Sequence, residues 1–347
     1  MRVAITRYIA RSICGSQRRL WGSSYAASGQ LEEGKQNSEY FSVEWGKILI
    51  RNANFYTTPQ PRAAVSFSSS KGYAPFVSWD GERSYETDAL QIARHAYLSG
   101  PVLCPVAACA SGAHALALGA QLIKTGHAEV VLAGASEPPQ PELILAAYRN
   151  MGALSKSGTM RPFDVRHDGF VPASGGALLV LESEERARAR NAKIHGFLTG
   201  TSMKCDATHM TSMCPSGDSI ARAIEEALQK AGNPQIDYIN AHGTATKHND
   251  LIETRAIKSV FGSRVPVSST KPLTGHLLGA SGAVEAVICL LAMRENFAPP
   301  TLNLEERDAD LDLDYIPLHG RALEMKATLS LSYGFGGHIG ALVFEKN

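Results

Sequence analysis

Two helical windows of this 347-residue chain carry almost no charge, and they limit its fold more than any other feature. Ser111–Lys124 is rich in Ala, Leu and Gly and has no formal charge before its last residue; residues 279–294 repeat the pattern with Glu285 as the one charge before Arg294. A helix that is apolar all round has no solvent face, so both windows belong inside the molecule, covered on every side. Each follows a short β-rich run, and such runs alternate with helical windows from about residue 100 onward, the mark of an α/β fold. In the first half, strands are expected at 102–107, 129–135 and 175–182, with helices at Glu142–Asn150 and 184–190. In the second half, strands are expected at 193–201, 236–240 and 265–268, with helices at 219–231 and 251–261. Residues 326–332 and 340–345 read as a closing hairpin joined by the glycine turn 334–338. One uncharged helix per half points to a duplicated architecture with both helices sandwiched between sheets, although no residue-level repeat is visible. Earlier in the chain, 62–66 reads as a strand followed by the Ser-rich turn 68–72, and 31–60 shows no periodicity.

Charge excludes several functions. The balance of 34 Lys+Arg against 33 Asp+Glu leaves a formal charge of +1, so neither a nucleic-acid partner nor a membrane surface is expected. No apolar run approaches the roughly eighteen residues of a membrane span. Cys14, Cys104, Cys109, Cys205, Cys214 and Cys289 show no CxxC spacing. Neither a metal site nor a disulfide framework is expected, which favours a reducing compartment. The first 31 residues hold five Arg and no acid, as organellar leaders do, but Val3-Ala4-Ile5-Thr6 reads as a first strand starting too early for one. A cytoplasmic protein is expected.

Four motifs carry chemistry. In Ala107-Ala108-Cys109-Ala110-Ser111-Gly112-Ala113-His114, a cysteine stands between a strand and an uncharged helix. Its sulfur is expected at the helix N-terminus, where partial positive charge lowers a thiol pKa; taken alone, the motif is more often a packed core cysteine. Asn240-Ala241-His242-Gly243-Thr244-Ala245-Thr246 places a histidine at a strand end, beside a glycine and two hydroxyls, suited to acid/base work or to structure. Ser268-Ser269-Thr270-Lys271-Pro272-Leu273-Thr274-Gly275-His276 again joins a strand to a buried helix. Glu285, nine residues on and inside the apolar window, needs a partner there, and Lys271 is the candidate. Tyr333-Gly334-Phe335-Gly336-Gly337 is a glycine turn with one large aromatic: a plain β-turn, or a gate whose N–H groups hold an oxyanion.

Together, in this order, the motifs resemble the β-ketoacyl synthases of fatty-acid and polyketide synthesis, nearest the elongating carrier-protein type, over residues 100–347. Arg161-Pro162-Phe163-Asp164, Asp168-Gly169-Phe170, His209-Met210-Thr211-Ser212 and Pro299-Pro300-Thr301-Leu302-Asn303 match as well. The resemblance implies a thiolase-like α/β fold with a duplicated five-layer αβαβα architecture, in halves 1–190 and 191–347. It implies Cys109 as acylated nucleophile, with His242 and His276 supporting malonyl decarboxylation and holding the enolate. Lys271 would orient the histidines and Glu285, and Asp250 would assist from behind. Thr244 and Thr246 would bind the phosphopantetheine arm. Phe335 would gate the acyl pocket, its N–H and that of Cys109 forming an oxyanion hole. His276 separates the chain from synthases that start from acyl-CoA, which carry Asn there. The implied partners are an acyl carrier protein and a second subunit, either a homodimer mate or a longer synthase-like chain. No cofactor is implied beyond the phosphopantetheine that arrives on the carrier. The alternatives are a non-elongating, chain-length-factor-like partner and an acyltransferase that uses Cys109 without condensing. The stretch before the nucleophile is shorter than in the family, lacking a long helix and much of a cap. Leu331 and Ile339 stand where the family has Asn, and Ser174 where an acid is common.

Overall fold

The structure, a computed structural model, describes residues 1–13, 62–71 and 87–347; Cys14, the unplaced stretch 31–60 and Gly72 of the Ser-rich turn lie outside them. One sheet holds ten strands. In chain order these are β1 (Val3–Ile13), β2 (Ala63–Ser68), β3 (Val102–Leu103), β4 (Val130–Glu137) and β5 (Ser174–Ser183), then β6 (Gly196–Cys205), β7 (Tyr238–Asn240), β8 (Val267–Ser268), β11 (Ala327–Gly334) and β12 (His338–Glu345). Their spatial order is β3-β2-β4-β5-β1-β6-β12-β11-β7-β8. A separate two-stranded ribbon pairs β9 (Phe297–Ala298) with β10 (Arg321–Ala322).

The order contains the same five-strand pattern twice. Numbered within its own half, each set runs third, second, fourth, fifth, first. In both, the fifth strand pairs antiparallel with the first and fourth, and the second pairs parallel with the third and fourth. The first strands of the halves meet at the centre, Val3–Ile5 against Leu198–Gly196. This is the duplicated thiolase-like fold.

Alternation along the strands explains the layering. On β4, Val131, Ala133 and Ala135 join the central core, while Val130 and Leu132 join an outer one. On β12, Leu342 and Phe344 point to the centre, and Ile339, Ala341 and Val343 outward. Helices cover both outer faces: α1 (Asp88–His95) on the first half through Ala89, Ile92 and Ala93, and α5 (Asp218–Ala231) on the second through Ile220, Ala223, Ile224 and Ala227. The two uncharged windows form α2 (Ser111–Lys124) and α8 (Ser281–Glu295) between the sheet halves. They cross at reciprocal glycines. A Cβ on Gly112 would come within 2.8 Å of the Ala283 nitrogen, and one on Gly282 within 2.9 Å of the Ala113 nitrogen. The remaining helices are α3 (Glu142–Asn150), α4 (Glu184–Ala189), α6 (Lys247–Phe261) and the one-turn α7 (Lys271–Thr274).

Several expected bounds shift: the first strand runs on to Ile13, α6 starts at Lys247, and β7 and β8 are shorter than expected. The strand expected at 102–107 pairs only over Val102–Leu103, because it lies at the sheet edge and Pro105 has no N–H to donate. The strand expected at 193–201 runs instead from Gly196 to Cys205, its far end, Ser202–Cys205, held by His338–Ala341 of β12. Helix α1 was not expected; Thr87 caps it, its hydroxyl accepting from the Leu90 N–H at 3.2 Å.

Candidate active site

The chain enters α2 through a 3₁₀ turn, Ala108–Ala110, that carries Cys109. Ala108 sits at φ +47°, a left-handed conformation that costs about 1–3 kcal/mol in a non-glycine residue. The Ser111 hydroxyl pins the turn, accepting from the Ala107 N–H at 2.9 Å and donating to the Ala108 carbonyl at 2.7 Å. The second half repeats the device: Leu278, at φ +46°, opens the 3₁₀ turn Leu278–Ala280 that leads into α8. Gly334 presses on the Cys109 turn from β11, where a Cβ would lie 2.4 Å from the Ala107 oxygen and 3.0 Å from the Cys109 nitrogen.

Cys109 packs with Met160, Phe170 and Leu278, beside Tyr148. Burial pushes its thiol up to about 12; Glu137 adds to the rise, and Lys271 and Lys71 pull the other way. The expectation of a lowered pKa is therefore corrected. A helix N-terminus supplies about half an elementary charge, less than full desolvation takes away.

His242 follows β7 in a loop with left-handed Gly243 and Ala245. Its N–H and that of Gly243 donate to the two oxygens of Glu253 on α6, at 2.7 and 2.8 Å. Burial raises the Glu253 carboxyl to about 7, against the pull of these two N–H groups. Glu253 escaped the sequence reading; its signal is the i, i+3 spacing from Asp250, which puts both acids on one helix face.

His276 is buried beyond α7. Its Nδ1 accepts from the Leu278 N–H at 3.2 Å, with the Ser281 hydroxyl at 3.1 Å. A neutral imidazole bonded this way carries its proton on Nε2. Lys271 Nζ lies 3.4 Å from His242 Nδ1 and donates to Glu285 Oε1 at 2.5 Å. The carboxylate inside the apolar helix thus has its partner in Lys271. The imidazoles meet edge to face, centroids 5.6 Å apart, and Phe170 lies edge-on to His276 at 4.7 Å. Burial, then Lys271, pushes His276 well below its ordinary value, and burial, Lys271 and His276 do the same to His242. Both rings are neutral.

The other named residues surround this centre. Asp250 lies under the 161–167 segment, accepting from the Phe163 N–H and bonded to His167 Nδ1, both at 2.9 Å. The hydroxyls of Thr244 and Thr246 are 3.0 Å apart. Phe335 occupies the β11–β12 turn, its ring 6.5 Å from that of Tyr148. The neighbouring glycines tie the turn down, Gly336 N–H to the Met210 carbonyl and Asp206 N–H to the Gly337 carbonyl. Leu331 and Ile339 are fully in the outer core. Among the described residues no His, Cys, Asp and Glu cluster could hold a metal ion.

The N-terminal β-ketoacyl synthase domain matches residues 59–187 and the C-terminal domain residues 195–305. The chain belongs to the β-ketoacyl synthase family. It is 45% identical over 257 residues to 3-oxoacyl-[acyl-carrier-protein] synthase 2 of Synechocystis sp., covering 71% of this chain and 62% of that protein. It is 42% identical over 254 residues to the putative polyketide beta-ketoacyl synthase 1 of Streptomyces halstedii, covering 70% and 60%. The chain thus spans less than two thirds of the length of these curated relatives. Among solved structures, it is similar at TM-score 0.87 and 29% identity, over 100% of this chain and 99% of the other, to a chain of a type II PKS acyl-carrier protein in complex with its ketosynthase bound to the hexaketide. A β-ketoacyl synthase from Burkholderia phymatum matches with the same score, identity and coverage.

Proposed function

We propose that this chain condenses an acyl thioester with malonyl-carrier protein, losing CO₂, in chain elongation of the fatty-acid or polyketide kind. The observation that carries the reading is the pair of neutral imidazoles at the Cys109 pocket, each with its Nδ1 turned to a donor, the Leu278 N–H or Lys271 Nζ. Each is left with Nε2–H as its donor.

The chemistry follows from those groups. The sulfur of Cys109 attacks the acyl thioester carbonyl; the carrier thiol leaves with the proton that Cys109 gives up. The Cys109 and Phe335 N–H groups would hold the oxyanion of this step. His242 and His276 then donate to the carbonyl oxygen of the malonyl thioester. As the C–C bond to the carboxylate breaks, its electrons move to that oxygen, and neutral donors hold the resulting enolate. The enolate carbon attacks the acyl-Cys109 carbonyl, and collapse of the adduct expels the Cys109 sulfur. Lys271, clamped by Glu285, keeps His242 in the donating tautomer. Thr244 and Thr246 would take the phosphopantetheine arm, and Phe335 would gate the acyl side.

The partners are an acyl carrier protein and a second synthase-fold subunit, with a homodimer favoured over a heterodimer. Supporting assembly, the β3 edge carries exposed Val102 and Val106, with exposed Tyr97 nearby, a row that a second subunit would cover. The reading needs no resident cofactor and places the protein in the cytoplasm; no described helix is long and apolar enough to cross a membrane.

Mass spectrometry and CO₂ release separate the half-reactions. Cys109→Gln is expected to abolish acylation and retain malonyl decarboxylation, and His276→Ala to suppress decarboxylation while acyl transfer to Cys109 persists in part. Equal loss of both half-reactions in both variants would overturn the division of roles, and acylation without any condensation in the wild type would make the chain an acyltransferase.

A further inference from the structure

Beside the nucleophile stands a charged cluster that the condensation does not use. Glu137, at the end of β4, is buried, and its carboxylate accepts from the Ser70 N–H at 2.8 Å, the Ser70 hydroxyl at 2.7 Å, the Gly279 N–H at 3.1 Å and Gln140 Nε2 at 3.0 Å. Lys71 Nζ donates to Gln140 Oε1 at 2.7 Å and Ser70 Oγ at 2.8 Å, and only more distantly to Glu137 Oε1, at 3.3 Å. The Lys71 side chain keeps 23% of its surface open, against 2% for Glu137.

This cluster adjoins the Cys109 pocket. Gly279, which donates to Glu137, follows Leu278, which packs on Cys109. The Gly279 carbonyl lies against Gly112, 2.9 Å from where a Cβ would stand. Tyr148, which packs beside Cys109, adds a hydroxyl to the same pocket. Met160, Phe170 and Leu278 give the Cys109 pocket apolar walls, and the Glu137 cluster, joined to that wall through Gly279, is the polar side that an acyl group on Cys109 would meet at Gln140 and Lys71. An unsubstituted alkyl chain laid along the polar wall strips water from a cation and returns nothing. A keto or hydroxyl oxygen replaces that water and competes only with the long Lys71–Glu137 contact.

We propose that Lys71, set in place by Glu137 and Gln140, is a specificity-determining residue that selects acyl groups bearing a keto or hydroxyl oxygen over plain alkyl chains of equal length. The proposal rests on the condensing reading above, and acyl loading tests it without requiring condensation.

The test uses carrier-bound hexanoyl, 3-hydroxyhexanoyl and 5-oxohexanoyl thioesters, with the loading rate of Cys109 followed by intact mass. The faster oxygenated thioester is expected to load about tenfold faster than hexanoyl, the worth of one charge-assisted hydrogen bond. Lys71→Met should bring the ratio within about twofold, whatever its effect on the absolute rates, with a thermal melt reporting that the variant is folded; Lys71→Arg should keep the preference. Wild-type loading of hexanoyl as fast as both oxygenated thioesters would overturn the proposal and leave the condensing reading intact, as would a Met variant that retains the preference. Failure of every thioester to load Cys109 would remove the condensing reading and this one with it.

Discussion

Lys271 Nζ lies 2.5 Å from Glu285 Oε1, and neither side chain reaches solvent. Each charge is tolerated in the apolar middle layer because the other is there. Glu285→Leu, which strands the ammonium, is expected to cost about 3–5 kcal/mol, and adding Lys271→Met should recover most of that loss. Urea denaturation of the single and double variants gives the comparison. A single variant within about 1 kcal/mol of wild type would show that the pair does not carry this charge balance.

His242 and His276 set a pH dependence. Both have native pKa values below the unfolded value near 6.5, so the unfolded chain binds their protons first and stability is lost as pH falls below that value. Glu253 acts oppositely: with a native pKa of about 7, it contributes stability that fades as pH rises from its unfolded value toward neutrality. The net slope between pH 5 and 7 mixes both signs, so the contribution of one imidazole is read by difference. Removing it in His276→Gln should flatten the acid-side loss by up to about 1.4 kcal/mol per pH unit. Unfolding curves at pH 5, 6 and 7 that shift in parallel would contradict a neutral native His276.

Gly334 is held to glycine by contact. Its backbone conformation is one that any residue can adopt, yet a methyl group would meet the Ala107 carbonyl at 2.4 Å. Gly334→Ala is expected to displace the Cys109 turn and slow acylation about 10²-fold, since small misplacements of reacting groups cost that much. Acylation kinetics beside a thermal melt check it, and an unimpaired variant would mean the hairpin yields freely.

Cys109 should be the residue that an acyl thioester or a ketosynthase-directed thiol reagent modifies, not Cys104 or exposed Cys205. Because burial holds its thiol up at about 12, its reaction with iodoacetamide should keep rising with pH from 7 to 9, about tenfold per unit, without a plateau. Peptide mapping that places the acyl group elsewhere, or a plateau below pH 9, would contradict the assignment.

Much of the fold is legible in the sequence because its signals are local. The uncharged windows could only be buried helices, and α2 runs over Ser111–Lys124 as its composition predicts. The closing hairpin followed from its glycines. Less legible was α1, whose eight residues bury only Ala89, Ile92 and Ala93, too short a pattern to stand out. The expected strand at 102–107 was cut short by its edge position, which depends on which strands lie beside it.

At the candidate site, the sequence by itself singled out Cys109, His242, Lys271 and His276 and placed each in a connection that leads into a helix. It also required a partner for Glu285. Only the tertiary structure decided the protonation states: the neutral imidazoles, the raised thiol and the Glu253 carboxyl near 7. It alone revealed that Glu253 holds the His242 loop and that Lys71 and Glu137, 66 residues apart in sequence, stand together. Turn chemistry and periodicity act over a few residues, whereas desolvation and charge pairing sum over whatever the fold brings near from distant parts of the chain.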